Sequence, residues 1–75
     1  MNTIKKQLES ACDILAYHSS SPRLDAEVLL AFVLGKNRSY LRAWDDKALE
    51  VESVERFSQL IKKRRAGVPI AYLTG

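Results

Sequence analysis

The stretch SPRLDAEVLLAFVLGK, residues 21–36, constrains the fold more than any other part of the chain. Ser21 followed by Pro22 reads as a helix N-cap and first helical position, because proline lacks the amide hydrogen that would be orphaned there anyway. Asp25 and Glu27 fall in the early turns, where negative charge meets the positive end of the helix dipole. From Val28 to Leu34 every residue is apolar, so this length of helix has no solvent face and must be packed on most sides. Gly35 supplies a left-handed stop, and Lys36 a cation for the C-terminal dipole. A helix that needs neighbours all round, in a chain of 75 residues, belongs at the centre of a bundle. The apolar run is far short of the roughly 20 residues needed to span a bilayer.

The rest of the chain supplies those neighbours. In TIKKQLESACDILAYH, residues 3–18, Ile4, Leu8, Ala11 and Leu15 recur at helical spacing and make one apolar face, with Thr3 or Asn2 placed to cap its start. NRSYLRAWDD, residues 37–46, holds a helix of a turn or two, capped by Ser39 and burying Tyr40, Leu41 and Trp44. KALEV is a connector anchored by Leu49. In VESVERFSQLIKKRRAG, residues 51–67, Val54, Phe57, Leu60 and Ile61 form the stripe, and Glu52 precedes Arg56 by the favourable four positions. Lys62, Lys63, Arg64 and Arg65 occupy the final turns, where cations suit the dipole, and Gly67 is the stop. Pro69 then starts a last short helix through Leu73, and Ile70, Ala71, Tyr72 and Leu73 need burial. No segment shows sustained period-two alternation, and no internal repeat is visible. The expected fold is all-α: a small five-helix bundle of three longer helices and two short ones, forming a single domain over residues 1–75.

A domain this small buries only roughly 60% of its unfolded surface, so each large apolar side chain counts. With 47% hydrophobic residues, three glycines and two prolines, the supply is sufficient. A single cysteine excludes an internal disulfide framework and fits a reducing compartment. Lys5 and Lys6 follow Ile4 at once, which is unlike a signal peptide. A soluble, cytoplasmic monomer with no membrane contact is expected. The net charge is +3, and residues 51–75 carry five basic and two acidic groups. That bias invites a nucleic acid or an acidic partner. However, KKRR wraps round a helix instead of forming one stripe, and a glycine follows where helix ends favour cations, so a solvated helix end is the preferred reading. Nor is there a set of Asn, Gln and Arg suited to reading bases. Nucleic acid is not an expected partner.

The chemistry-bearing residues are sparse. Three scattered glycines cannot make a phosphate or dinucleotide loop, and one His with one Cys cannot build a zinc site. His18 reads as a solvated turn residue and Cys12 as a buried, inert thiol beside the apolar face of the first helix. Asp25 and Glu27 are two apart, so on a helix they diverge and cannot share a proton. They are read as ion-pair partners for Arg23 and for Arg64 or Arg65. The stem of Arg64 falls where it can cover the core edge. Asp45-Asp46 supplies too few ligands for a metal. No catalytic, cofactor-binding or metal-binding residue is assigned, and this chain is not expected to be an enzyme by itself.

Two strings carry a resemblance. SPRLDAEVLLAFVLGKNRSYL and RRAGVPIAYLTG resemble the N-terminal domain of the HemK/PrmC family of release factor glutamine methyltransferases. The matching positions are Arg23, Asp25, Ala26, Glu27, Leu29, Leu30, Gly35 and Arg38, then Arg64 or Arg65, Gly67, Pro69, Ala71, Tyr72, Leu73 and Gly75. Glu50 stands where the family often has Ser or Thr, and Val68 where a polar residue is common. The resemblance implies a five-helix bundle joined to a Rossmann-like domain that holds S-adenosylmethionine. That domain methylates the glutamine of the Gly-Gly-Gln loop in bacterial class I peptide chain release factors. The family's Asn-Pro-Pro-Tyr motif and glycine-rich cofactor loop do not occur in these 75 residues, so neither role carries over to any position. Residues 68–75 are expected to lead into that methyltransferase domain. The implied partners are the release factor and the chain's own C-terminal methyltransferase domain. Lys36, Arg38 and Arg42 are the candidates for partner binding. A bundle that merely stabilises the catalytic domain is the alternative, and an independent basic RNA-binding module is a third reading.

Overall fold

The computed structural model describes residues 2–74. Its elements are α1 (Ile4–Leu15), α2 (Pro22–Leu34), α3 (Arg38–Ala43), α4 (Val51–Arg65) and α5 (Ile70–Thr74). The described residues form an all-α bundle of three longer helices and two short ones, measuring 29 × 24 × 22 Å. Helix α2 packs against each of the other four, as its apolar run requires. The stripe Ile4, Leu8, Ala11 and Leu15 of α1 is fully inside. It meets Ala26, Leu29, Leu30, Ala31 and Val33 of α2, Leu41 of α3, and Phe57 and Ile61 of α4. Val54 and Leu60 of α4 are half-buried at the edge.

Helix ends follow the local chemistry, with two revisions. Thr3 caps α1, its hydroxyl accepting from the Lys6 amide at 3.2 Å. Helix α3 is capped by Asn37, whose side-chain oxygen accepts from the Tyr40 amide at 2.9 Å, and not by Ser39, which lies inside the helix. Ser21 occupies the N-cap position of α2 but makes no capping bond with its side chain. Instead the Ser19 hydroxyl accepts from the Ser21 amide and donates to Asp25, bracing the turn from outside. Glu50 precedes α4 without a side-chain cap. Gly35 and Gly67 both take positive φ, 65° and 103°. After α2, the Lys36 amide reaches the Ala31 carbonyl and the Gly35 amide that of Phe32; after α4, Val68 and Gly67 reach Lys63 and Arg64 in the same way. Both ends are therefore Schellman closures, in which glycine takes the left-handed turn.

The connector between α3 and α4 is tied to the start of α1. The amides of Ile4 and Lys5 donate to the carbonyls of Lys47 and Asp45 at 3.0 and 2.8 Å, and the Leu49 amide donates to Asn2 at 2.7 Å. Three amides of the first turn, which have no partner within a helix, are thus satisfied by this connector and by Thr3.

Four expectations about burial are corrected. Trp44 is 54% exposed, because α3 is short and turns only Leu41 fully inward. Phe32 is 44% exposed, on a stripe of α2 shared with Val28 and the half-exposed Leu24. In α5 only Ile70 and Leu73 pack on the core, while Ala71 and Tyr72 face outward, since a single short helix buries one stripe. Cys12 is half-buried, not fully inside.

Candidate functional site

Two buried carboxylates on α2 organise most of the ion pairing. Glu27, 4% exposed, is met by three guanidiniums. Arg23 Nε donates to Oε2 at 3.0 Å from one turn earlier on the same helix. Arg38 Nε donates to Oε1 at 2.9 Å, and Arg42 Nη2 stands 3.6 Å from the same oxygen. Burial, the strongest single influence, pushes the Glu27 carboxyl up. The hydrogen bonds from Arg23 and Arg38, with the charges of Arg38 and Arg42, together outweigh it and hold the group below its ordinary value.

Asp25 is handled differently. It takes one guanidinium, Arg64 Nε at 3.0 Å, and one hydroxyl, from Ser19. Its pair is neutral and covered, the Arg64 side chain being 21% exposed along the core edge. The two carboxylates point to different partners, as their spacing demands. Arg65 turns towards the exposed His18. Among the described residues, Glu52 and Arg56 form no ion pair with each other.

The candidates Lys36, Arg38 and Arg42 are divided between two flanks of α3. Arg38 and Arg42, four apart, face Glu27. Tyr40 and Trp44, also four apart but offset by two positions, lie on another flank with ring centroids 6.3 Å apart. Lys36 belongs to that second flank, its Nζ standing 5.2 Å from the centre of the Tyr40 ring. Lys47 joins it, donating to the Tyr40 hydroxyl at 3.0 Å, a bond that holds the lysine above its ordinary pKa. A shallow hollow over this flank is lined by Lys36, Tyr40, Trp44, Asp46 and Lys47. Sequence reasoning paired Arg23 with the α2 carboxylates but missed that Arg38 and Arg42 share Glu27. The four-residue spacings Arg23–Glu27 and Arg38–Arg42 were the available signals.

The model of the PrmC N-terminal domain matches residues 6–75, and the chain belongs to that family. It is 49% identical over 72 residues to the release factor glutamine methyltransferase of Shewanella oneidensis, covering 96% of this chain and 25% of that protein. To the release factor glutamine methyltransferase of Vibrio cholerae it is 47% identical over 74 residues, or 97% of this chain and 26% of the relative. With the Pseudomonas aeruginosa enzyme of the same name it shares 49% identity over 57 residues, 76% of this chain and 21% of the relative. The chain thus spans about a quarter of the length of the curated relatives that match it along nearly its whole length. No solved structure matches it.

Proposed function

We propose that this chain is the non-catalytic N-terminal domain of a release factor glutamine methyltransferase, and that it helps to hold the release factor while another part of the protein methylates it. The observation that supports a contact role is the Glu27 cluster, where three half-exposed arginines on the outside of the bundle gather over one buried carboxylate. A protein substrate is large, and a second contact surface raises the effective concentration of its reacting side chain. The substrate in this reading is a bacterial class I release factor, modified at its Gly-Gly-Gln glutamine, and the cytoplasm is where the two meet. Lys36, Arg38 and Arg42 are its proposed contacts.

The methyl donor in this reading is S-adenosylmethionine, but the described residues do not fit it. Gly35 and Gly67 close helices instead of opening one, and the hollow over Tyr40, with two lysines against the single carboxylate of Asp46, keeps a net positive charge that disfavours a sulfonium cation. Binding and catalysis are assigned to the methyltransferase domain that follows residues 68–75 in this reading.

A second reading has its own support. The half-exposed Leu24 and Phe32, and the exposed Tyr72, suit a bundle that packs on the catalytic domain as a scaffold. Methylation of a full-length release factor by the whole protein, with and without this domain, separates the two. A recognition role raises KM with kcat little changed; a scaffold role lowers kcat and thermal stability together. Unchanged kinetics on removal would sink the recognition role.

A further inference from the structure

The two α2 carboxylates provide a comparison within one helix. Asp25 has a single arginine, and that arginine is mostly covered. This satisfies a buried charge and needs nothing more. Glu27 has three, with side chains 54%, 43% and 66% exposed for Arg23, Arg38 and Arg42. One or two of these would satisfy the carboxylate. Holding three like charges around it costs mutual repulsion and restrains three long side chains. A purely internal tie explains the Asp25 pair but leaves the surplus at Glu27 without a purpose.

The contacts made to Glu27 leave much of each guanidinium uncommitted. Arg23 and Arg38 both donate through Nε, and a guanidinium has further N–H groups to give. Those groups lie on exposed side chains, so they face water or a partner. Guanidinium edges match carboxylates in planar, two-pronged geometry. The patch is compact, drawn from the start of α2 and from α3, and it does not extend along the molecule as a row of cations tracking a phosphate backbone would.

We propose that Glu27 is a positioning residue: it fixes Arg23, Arg38 and Arg42 as a preorganised receptor for a carboxylate-bearing segment of a partner protein. Arg23 thereby joins the interaction surface, and Lys36, on the other flank of α3, is not part of this receptor. The proposal rests on the reading that this domain contacts its protein substrate. Glu27 never touches the partner. It acts by removing the rotamer freedom that binding would otherwise have to freeze.

This gives a result opposite to simple electrostatics. If only net charge matters, Glu27→Gln removes a negative charge from a basic patch and tightens binding to an acidic segment. If Glu27 positions the arginines, the same change weakens it. The test is calorimetric titration of the 75-residue chain into a purified bacterial class I release factor, with helicity of each variant checked by circular dichroism.

Arg38→Ala and Arg42→Ala are each expected to weaken binding by roughly three- to tenfold. Glu27→Gln is expected to weaken it by about threefold or more. Glu27→Asp, which preserves charge but withdraws the carboxylate by one methylene, should also weaken binding, and it serves if Glu27→Gln does not fold. In the Arg38→Ala background the Glu27→Asp effect should shrink, because the residue to be positioned is gone.

Loss of binding in the arginine variants with tighter or unchanged binding in both Glu27 variants would overturn the positioning role alone. No binding by the unaltered chain would overturn both this proposal and the contact reading beneath it. Equal binding to a single-stranded RNA oligonucleotide would overturn the carboxylate assignment.

Discussion

At the scale of single residues, the environment of Glu27 has a pH signature. Its carboxyl is held below the ordinary value of 4.5, so the folded state favours the ionised form more than the unfolded chain does. That contribution is fully present above about 4.5 and is lost as pH falls through the lowered folded value. Urea unfolding of the chain and of Glu27→Gln, followed from neutral to acidic pH, should therefore show their stability difference shrinking below that point. A difference that stayed constant across the acid range would mean that the arginines do not stabilise the carboxylate. The pairing of Arg23 with Glu27 was legible because both lie on one helix, four residues apart. The approach of Arg38 and Arg42 was not legible, because it depends on the direction in which the Gly35–Asn37 turn sends α3, and spacing carries no information about that angle.

At the scale of elements, the helix ends separate what is encoded locally from what is not. Gly35 has φ 65° and a Cβ built there meets nothing within 4 Å, so Gly35→Ala tests the backbone alone. The expected loss is about 1 kcal/mol in chemical denaturation, with Gly35→Asn losing less because asparagine tolerates the left-handed region better. Asn37→Ala, which removes the cap of α3, should cost about 1 kcal/mol by the same measurement, while Ser39→Ala should be near neutral. The reversed order would restore Ser39 as the capping residue. Both glycine stops and the α1 stripe were readable because they rest on local backbone and periodicity. Sequence pattern alone sets the cap of α3 two residues too late and turns Trp44 inward, because a six-residue helix has too few turns to declare which side is covered.

For the whole molecule, the Asp25–Arg64 pair matters most, joining the first turn of α2 to the last turn of α4 across 39 residues of sequence. Replacing Arg64 with Ala leaves a buried carboxylate with one hydroxyl partner, at an expected cost of about 2 kcal/mol. That is a large share of the roughly 4–11 kcal/mol expected for a chain of this length. Arg64→Lys should recover part of it, since the charge returns without the Nε geometry. Thermal melts of the two variants decide the matter, and equal melting temperatures for both and the unaltered chain would show the pair to be energetically idle. The centrality of α2 was visible in its uninterrupted apolar run, and Arg23 and Arg64 were among the partners expected for its carboxylates, whereas the gathering of Arg38 and Arg42 required the helices to be assembled.

The stitching of α1 to the α3–α4 connector bears on the order in which the bundle forms. Helix α1 has a good apolar face and can flicker into existence alone, but its opening amides find acceptors only when Asp45 and Lys47 arrive. The first turn is thus the part of α1 that closes late, after the chain has looped back on itself and the entropy of that closure has been met. Once closed, it opens only together with the connector. The first turn of α1 and the α3–α4 connector are therefore expected to open as one cooperative unit, with hydrogen exchange at Ile4, Lys5 and Leu49 following a single opening event.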